Sequence, residues 1–255
     1  METIKTYFFM DVGVMFGRSM RHIFRSLDTI MTVTLSPIAI MLLFVFVLGG
    51  AIQIDTDNYV NYLLPGILLM TIANGIGYVS YRLLLDKQRG IFERFHSMPI
   101  ARSAALWGHV LVSLVSNSIS VTVIILIAFI MGFRSPAGVL PWLAVIGILG
   151  LFTLAMTWIA VIAGLSAKSA DSAGAFAFVI HLLPFISSAF VPVESMPGPV
   201  RAFAENQPVT PIVDAIRALL SNQPAGNEIW SALAWCVAIM LWTYIFAVRV
   251  YKKQG

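Results

Sequence analysis

The chain has 255 residues, 59% of them hydrophobic and 11% charged, with a formal net charge of +4. Soluble domains carry about 25% charged residues, and no soluble fold of this length hides so much apolar surface. Runs of about 20 apolar residues match the hydrocarbon core of a bilayer, and because they are continuous rather than alternating they indicate helices, not strands.

The expected fold is therefore an all-α integral membrane protein, a single domain over 1–255. The N-terminal stretch lacks the basic head, apolar centre and small-residue cleavage site of a signal peptide, and is expected to be cytoplasmic. Over 12–27, Val12, Met15, Phe16, Met20, Ile23, Phe24 and Leu27 share one helical face, with Arg18, Arg21 and Arg25 beside it. A basic amphipathic helix of this kind lies in the membrane interface. Six apolar spans follow, at about 30–51, 59–81, 106–132, 139–165, 173–192 and 229–248. Between the fifth and sixth, over 193–227, two short helices are expected. One starts near Pro199; the other, in TPIVDAIRALL, has Thr210 as N-cap and Pro211 at the first helical position. Its Ile212, Val213, Ile216, Leu219 and Leu220 fall at helical spacing. The single cysteine, Cys236, sits in an apolar run and permits no internal disulfide.

Lysine and arginine set the orientation, since positive loops stay cytoplasmic. With the N-terminus inside, the inner segments hold 13 of the 16 basic residues, leaving only Arg134, Arg201 and Arg217 outside. Both termini are then cytoplasmic, in a multi-pass protein of the cell membrane. The net charge follows from this asymmetry and gives no reason to expect a nucleic-acid partner.

The loop over 82–105 contains LDKQRGIFERFHSMPIAR, where Asp86, Lys87, Arg89, Glu93, Arg94 and Arg102 are gathered. Ile91, Phe92, Phe95 and Met98 form one face of a short helix that Pro99 ends. Such a helix either anchors in lipid headgroups with its bases snorkelling, or presents an aromatic, mixed-charge surface to another protein. Asp86 and Glu93 sit awkwardly against an anionic leaflet and favour the protein.

Polar side chains also align inside two spans: Thr71, Asn74, Tyr78 and Tyr81 in the second, Ser113, Ser116, Asn117 and Ser120 in the third. Stripes of this type hold helices together in lipid, or line a substrate path, to which His181 in the fifth span also belongs. Gly164-Leu165-Ser166 with His181 superficially suits an intramembrane serine protease, but the serine adjoins a cytoplasmic turn and the histidine lies deeper by roughly 10 Å or more. An ion-driven secondary carrier would place an acid or arginine near the midplane, and no span interior carries one. No set of metal ligands is present in the sequence pattern.

DKQRGIFERFHSMPIAR resembles the cytoplasmic loop of type-2 ABC exporter permeases, in particular the daunorubicin/doxorubicin-resistance branch. The matching positions are Gly90, Ile91, Phe92, Glu93, Arg94, Ser97 and Pro99. YLLPGILLMT at 62–71 and SSAFVPVESMPGPVRAFAENQPVTPIVDAIRALL at 187–220 match as well, so the resemblance covers essentially the whole chain. Pro199 departs from the pattern, standing where many members carry a bulky apolar or aromatic residue. The resemblance implies a permease subunit that pairs with a second copy or paralogue and works with a separate cytoplasmic ATPase. Residues 12–27, with Arg18, Arg21 and Arg25, become the connecting or elbow helix. Asp86, Lys87, Arg89, Gly90, Ile91, Phe92, Glu93, Arg94 and Phe95 become the coupling interface, and the outer helices at 199–220, which on the outer face are placed to re-enter the bilayer in part, cap the exit. The cargo implied is a hydrophobic drug, antibiotic or lipid-like molecule. The chain has no G-x-x-x-x-G-K-[ST] phosphate loop, so ATP and magnesium are expected on the partner ATPase and no cofactor or catalytic residue on this chain.

Overall fold

A computed structural model describes residues 10, 12–14, 16–17, 20, 27–49, 59–91, 104–224 and 226–253; of these, 27–33, 48, 104–105 and 251–253 are described by their backbone alone. Among the described residues all regular structure is helical. Helix α1 (Leu27–Leu42) widens into a π-helical segment, Leu43–Leu48. Next come α2 (Tyr59–Gln88), α3 (Ala104–Ile130), α4 (Val139–Ser166) and α5 (Ala170–Leu182), the last tightening into a 3-10 turn, Leu183–Ile186. Two short helices, α6 (Gly198–Asn206) and α7 (Val209–Leu220), precede the final α8 (Glu228–Lys253).

Four segments among the described residues are long and apolar enough to cross a membrane: Tyr59–Gln88, Leu106–Ile130, Val139–Ser166 and Glu228–Val250. The apolar helical stretches Thr34–Val47 and Ala170–Ile186 are shorter. The described residues between 10 and 20 are helical, while Arg18, Arg21 and Arg25 of the expected connecting helix lie outside the described set.

Helix α2 is the axis of the molecule. It packs against α1, α3, α4, α5 and α7, and Leu63, Leu64, Ile67, Leu68, Leu69 and Met70 are wholly buried around its circumference. A helix apolar on all sides is stable only when other helices surround it, and small residues let them approach. An added Cβ on Gly66 would lie 2.5 Å from the Ala189 Cβ, one on Gly75 2.6 Å from Asn117 Oδ1, and one on Gly164 of α4 2.7 Å from the Leu83 Cβ. Gly77 faces Ala177 across the same seam where Gly66 meets Ala189, so α5 and the chain after it run antiparallel to α2. At the opposite end, Trp107, Trp158 and Tyr244 lock α3, α4 and α8 together with ring centroids 4.9–6.3 Å apart.

Three boundaries differ from the sequence expectation. Helix α2 continues through Gln88 rather than stopping near 81, because Leu83 and Leu84 are still buried in the bundle. The fifth apolar run is helical only as far as Ile186. Pro184 brings the 3-10 turn, after which the Ser187 hydroxyl donates to the Pro184 carbonyl at 2.6 Å and accepts from the Ala189 N–H at 3.1 Å. Those local bonds replace the helical ladder. Thr210 is not an N-cap: α7 begins at Val209 after Pro208. The Thr210 hydroxyl donates instead to the Ala204 carbonyl at 2.6 Å, satisfying one of the carbonyls left free at the end of α6.

Candidate functional site

The charged stretch begins on α2 itself. Asp86 Oδ2 lies 3.2 Å from His109 Nε2 of α3, and Lys87 Nζ donates to the Leu165 carbonyl, at the end of α4, at 2.7 Å. Two residues expected at the coupling interface thus also tie the end of α2 to its neighbours, while Arg89 is exposed. Gly90 follows with φ 66°, and its N–H and that of Arg89 close the helix onto Lys87 and Leu85. A left-handed glycine here ends α2 and redirects the chain, and Ile91 is helical again. Phe92, Glu93, Arg94 and Phe95 lie outside the described residues.

The polar stripes resolve mostly into contacts between helices. Ser113 Oγ and Thr157 Oγ1 are 2.9 Å apart across α3 and α4, and the Thr34 hydroxyl of α1 donates to Ser120 Oγ of α3 at 3.1 Å. Asn117 donates to Ser113 O at 2.9 Å and to its Oγ at 3.2 Å while packing on Gly75. Thr71 donates back to Ile67 O at 2.7 Å. Tyr78 is half-buried and Tyr81 exposed. Asn74 Nδ2, Asn117 Oδ1 and His181 Nδ1 are buried without a hydrogen-bond partner among the described residues. The antiparallel register puts His181, four residues beyond Ala177, level with Ala73 and Asn74, so the two helices bring these polar groups to one depth.

The opposite end of α2 carries a cluster that sequence reading missed. Arg217 of α7 pairs with Asp214 at 2.7 Å, and its Nη2 donates to the Ser188 carbonyl at 2.7 Å and the Tyr62 carbonyl at 3.3 Å. The guanidinium lies 3.9 Å over the Tyr62 ring. Ser188 Oγ donates to Asp214 Oδ1 at 2.7 Å, and Tyr62 OH donates to the Ser188 carbonyl at 3.1 Å. Burial pushes the Asp214 carboxyl up, against the pull of the Ser188 hydroxyl and the Arg217 charge. The carboxylate is part-buried, and the Ser188 hydroxyl and Arg217 guanidinium are its donors. Nearby, Asn61 and Arg134 exchange two backbone–side-chain bonds at 3.1 Å, and the Ser135 hydroxyl donates to Leu220 O at 2.6 Å. The sequence signal was the i, i+3 spacing of Asp214 and Arg217 on one helix; Ser188 stands 26 positions before Asp214 in the same quoted stretch and Tyr62 in another, and only folding joins them.

The arrangement offers no nucleophile–base pair between Ser166 and His181. Ser166 ends α4 at the turn, whereas His181 lies twelve residues up α5 from the Ser169 cap, about 18 Å of helix rise. Among the described residues no group of three His, Cys, Asp or Glu side chains is placed to hold a metal. Long apolar helices packed around a largely apolar axis, with polar ties at both ends, define a multi-pass membrane protein. More specifically, the chain belongs to the ABC-2 type transporter family, whose model matches residues 10–221. It is 27% identical over 227 residues to the daunorubicin resistance ABC transporter permease protein DrrB1 of Streptomyces coeruleorubidus, covering 88% of this chain and 79% of that protein. It is 26% identical over 219 residues to the probable doxorubicin resistance ABC transporter permease protein DrrC of Mycobacterium tuberculosis, covering 84% and 78%. A putative transport permease, ycf38, of Cyanophora paradoxa is 25% identical over 230 residues, covering 87% and 78%.

Proposed function

We propose that the chain is the membrane-spanning permease subunit of an ATP-driven ABC exporter, working with a separate cytoplasmic ATPase and a second permease copy or paralogue. The family match over 10–221 carries this reading, and drug-resistance permeases among the relatives point to a hydrophobic, drug-like or lipid-like cargo. Residues 86–95, with Phe92 and Phe95 as the seated side chains and Glu93 and Arg94 fixing register, form the coupling contact. The Asp86 end faces the cytoplasm and the Arg217 end faces outward, as the basic residues direct. In that frame α1 with its π-helical extension, and α5 with its 3-10 turn, complete six spans around the four long helices. Helices α6 and α7 close the outer end; the complete burial of Ile212, Val213, Ala215 and Ile216 supports an α7 that re-enters the bundle. Asn74, Asn117 and His181, each with one buried polar atom that has no partner among the described residues, are the contacts proposed for cargo, beside the hydroxyl groups that hold the helices.

The test is co-purification with a candidate ATPase, followed by ATP-dependent daunorubicin export from proteoliposomes. Phe92→Ala with Phe95→Ala is expected to abolish ATPase association and reduce transport at least tenfold. Association and transport surviving those changes and charge reversal of Glu93 and Arg94 would sink the docking assignment. Transport driven by an ion gradient with no ATPase present would identify a secondary carrier instead.

A further inference from the structure

We propose that Arg217 is the positioning residue of an outer latch: its guanidinium holds α7 closed on Tyr62 and Ser188, and must release both carbonyls each time the exit opens. This rests on the exporter reading above and adds to it the part that moves. Three segments meet at the guanidinium: the first turn of α2 through the Tyr62 carbonyl and ring, the non-helical chain after α5 through the Ser188 carbonyl, and α7 itself through Asp214.

Each of those segments has a joint beside the cluster. Pro65 lies inside α2 one turn from Tyr62, and without an N–H it leaves the Asn61 carbonyl with no helical donor, uncoupling the first turn from the rest of the rod. Pro184 opens the 3-10 turn just before Ser188. Pro208 and Pro211 flank the start of α7. Along the middle of α2 apolar side chains dominate the contacts with neighbouring helices; here charge-assisted bonds join parts that each have a proline beside them. The Ser188 carbonyl sits outside any helix, so Arg217 and the Tyr62 hydroxyl are its donors. Immediately beyond, the Gly66 backbone lies directly against Ala189, whose Cβ is the nearest atom to the place a Gly66 side chain would take. From Tyr62 the same helix runs to Asp86 and Lys87, which are tied to α3 and α4. A push on residues 86–88 therefore travels along α2 as far as the Pro65 joint, which borders the turn that carries Tyr62.

A thiol reporter at Val213 tests this. Val213 is wholly buried on the core face of α7, lies outside the cluster, and differs little in size from cysteine. In a Cys236→Ala/Val213→Cys parent, reaction with a membrane-impermeant maleimide is expected to be slow at rest and at least tenfold faster during ATP turnover with the partner ATPase. Arg217→Ala is expected to raise the resting rate by a similar factor and to leave ATP hydrolysis running while transport falls at least tenfold. Arg217→Lys, whose ammonium reaches one carbonyl at a time, should give intermediate values for both. Labelling at rest that is the same in the parent, Arg217→Ala and Arg217→Lys overturns the latch, as does an Arg217→Ala protein that transports at the parental rate. A parent that moves no cargo with any ABC ATPase contradicts the exporter reading, and the resting comparison between Arg217 variants still decides the latch.

Discussion

Gly90 has φ 66°, in the left-handed region that any residue with a Cβ enters at a cost of roughly 1–2 kcal/mol. Gly90→Ala is therefore expected to lower the melting temperature measured in detergent and to weaken ATPase association, since the helix would tend to run on past Gln88. Gly66 and Gly147 separate a packing glycine from a free one. A Cβ on Gly66 would meet the Ala189 Cβ at 2.5 Å and its carbonyl at 3.0 Å, whereas one on Gly147 meets nothing within 4 Å. Gly66→Ala should destabilise strongly, because backbone must shift to admit it. Gly147→Ala should be neutral or stabilising by up to about 1 kcal/mol, the helical preference of alanine over glycine. Equal melting temperatures for the two variants would contradict the close apposition of α2 with the chain after α5.

At the scale of elements, the bonds that set helix ends are the ones to cut. Thr210→Val removes the hydroxyl that bridges to Ala204 and is expected to cost about 1 kcal/mol, read as a lower thermal midpoint with α7 loosened from α6. Lys87→Met keeps the stem but removes the donor to Leu165 O, and should cost a comparable amount while leaving the bundle assembled. The apolar runs behind α2, α3, α4 and α8 are plain in the sequence, because hydrocarbon-length stretches have few other uses. Their ends are harder to read. The charges of Asp86 and Lys87 look like the edge of a loop until His109 and the last carbonyls of α4 are seen to receive them. Likewise Ser187 belongs to an apolar run, and only its own hydroxyl bonds show why the helix stops. Thr210 and Pro211 make a sound N-terminal signal, yet a buried carbonyl from α6 competed for the hydroxyl and won.

For the whole molecule, the glycines, hydroxyls and prolines that define the seams were visible as residue types, but which seam each served depended on pairings separated by as many as 155 positions, as between Arg217 and Tyr62. The cluster of charge around Gly90 was legible without structure because charges in so apolar a chain stand out; the cluster around Arg217 was not, because its members come from three distant segments. Together they give α2 a tied end at each face of the bundle, about 36 Å apart by helix rise from Tyr62 to Asp86, the two ends that the proposed latch would link. The central claim is that this chain converts the motion of a separate ATPase into export. Its most direct measurement is ATP-dependent cargo efflux from proteoliposomes containing the chain and a co-purified ATPase, with Glu93 and Arg94 intact or charge-reversed. Efflux that requires ATP, requires the ATPase, and falls at least tenfold on reversal is the predicted result; efflux that persists without the ATPase, or is indifferent to the reversal, would contradict the account.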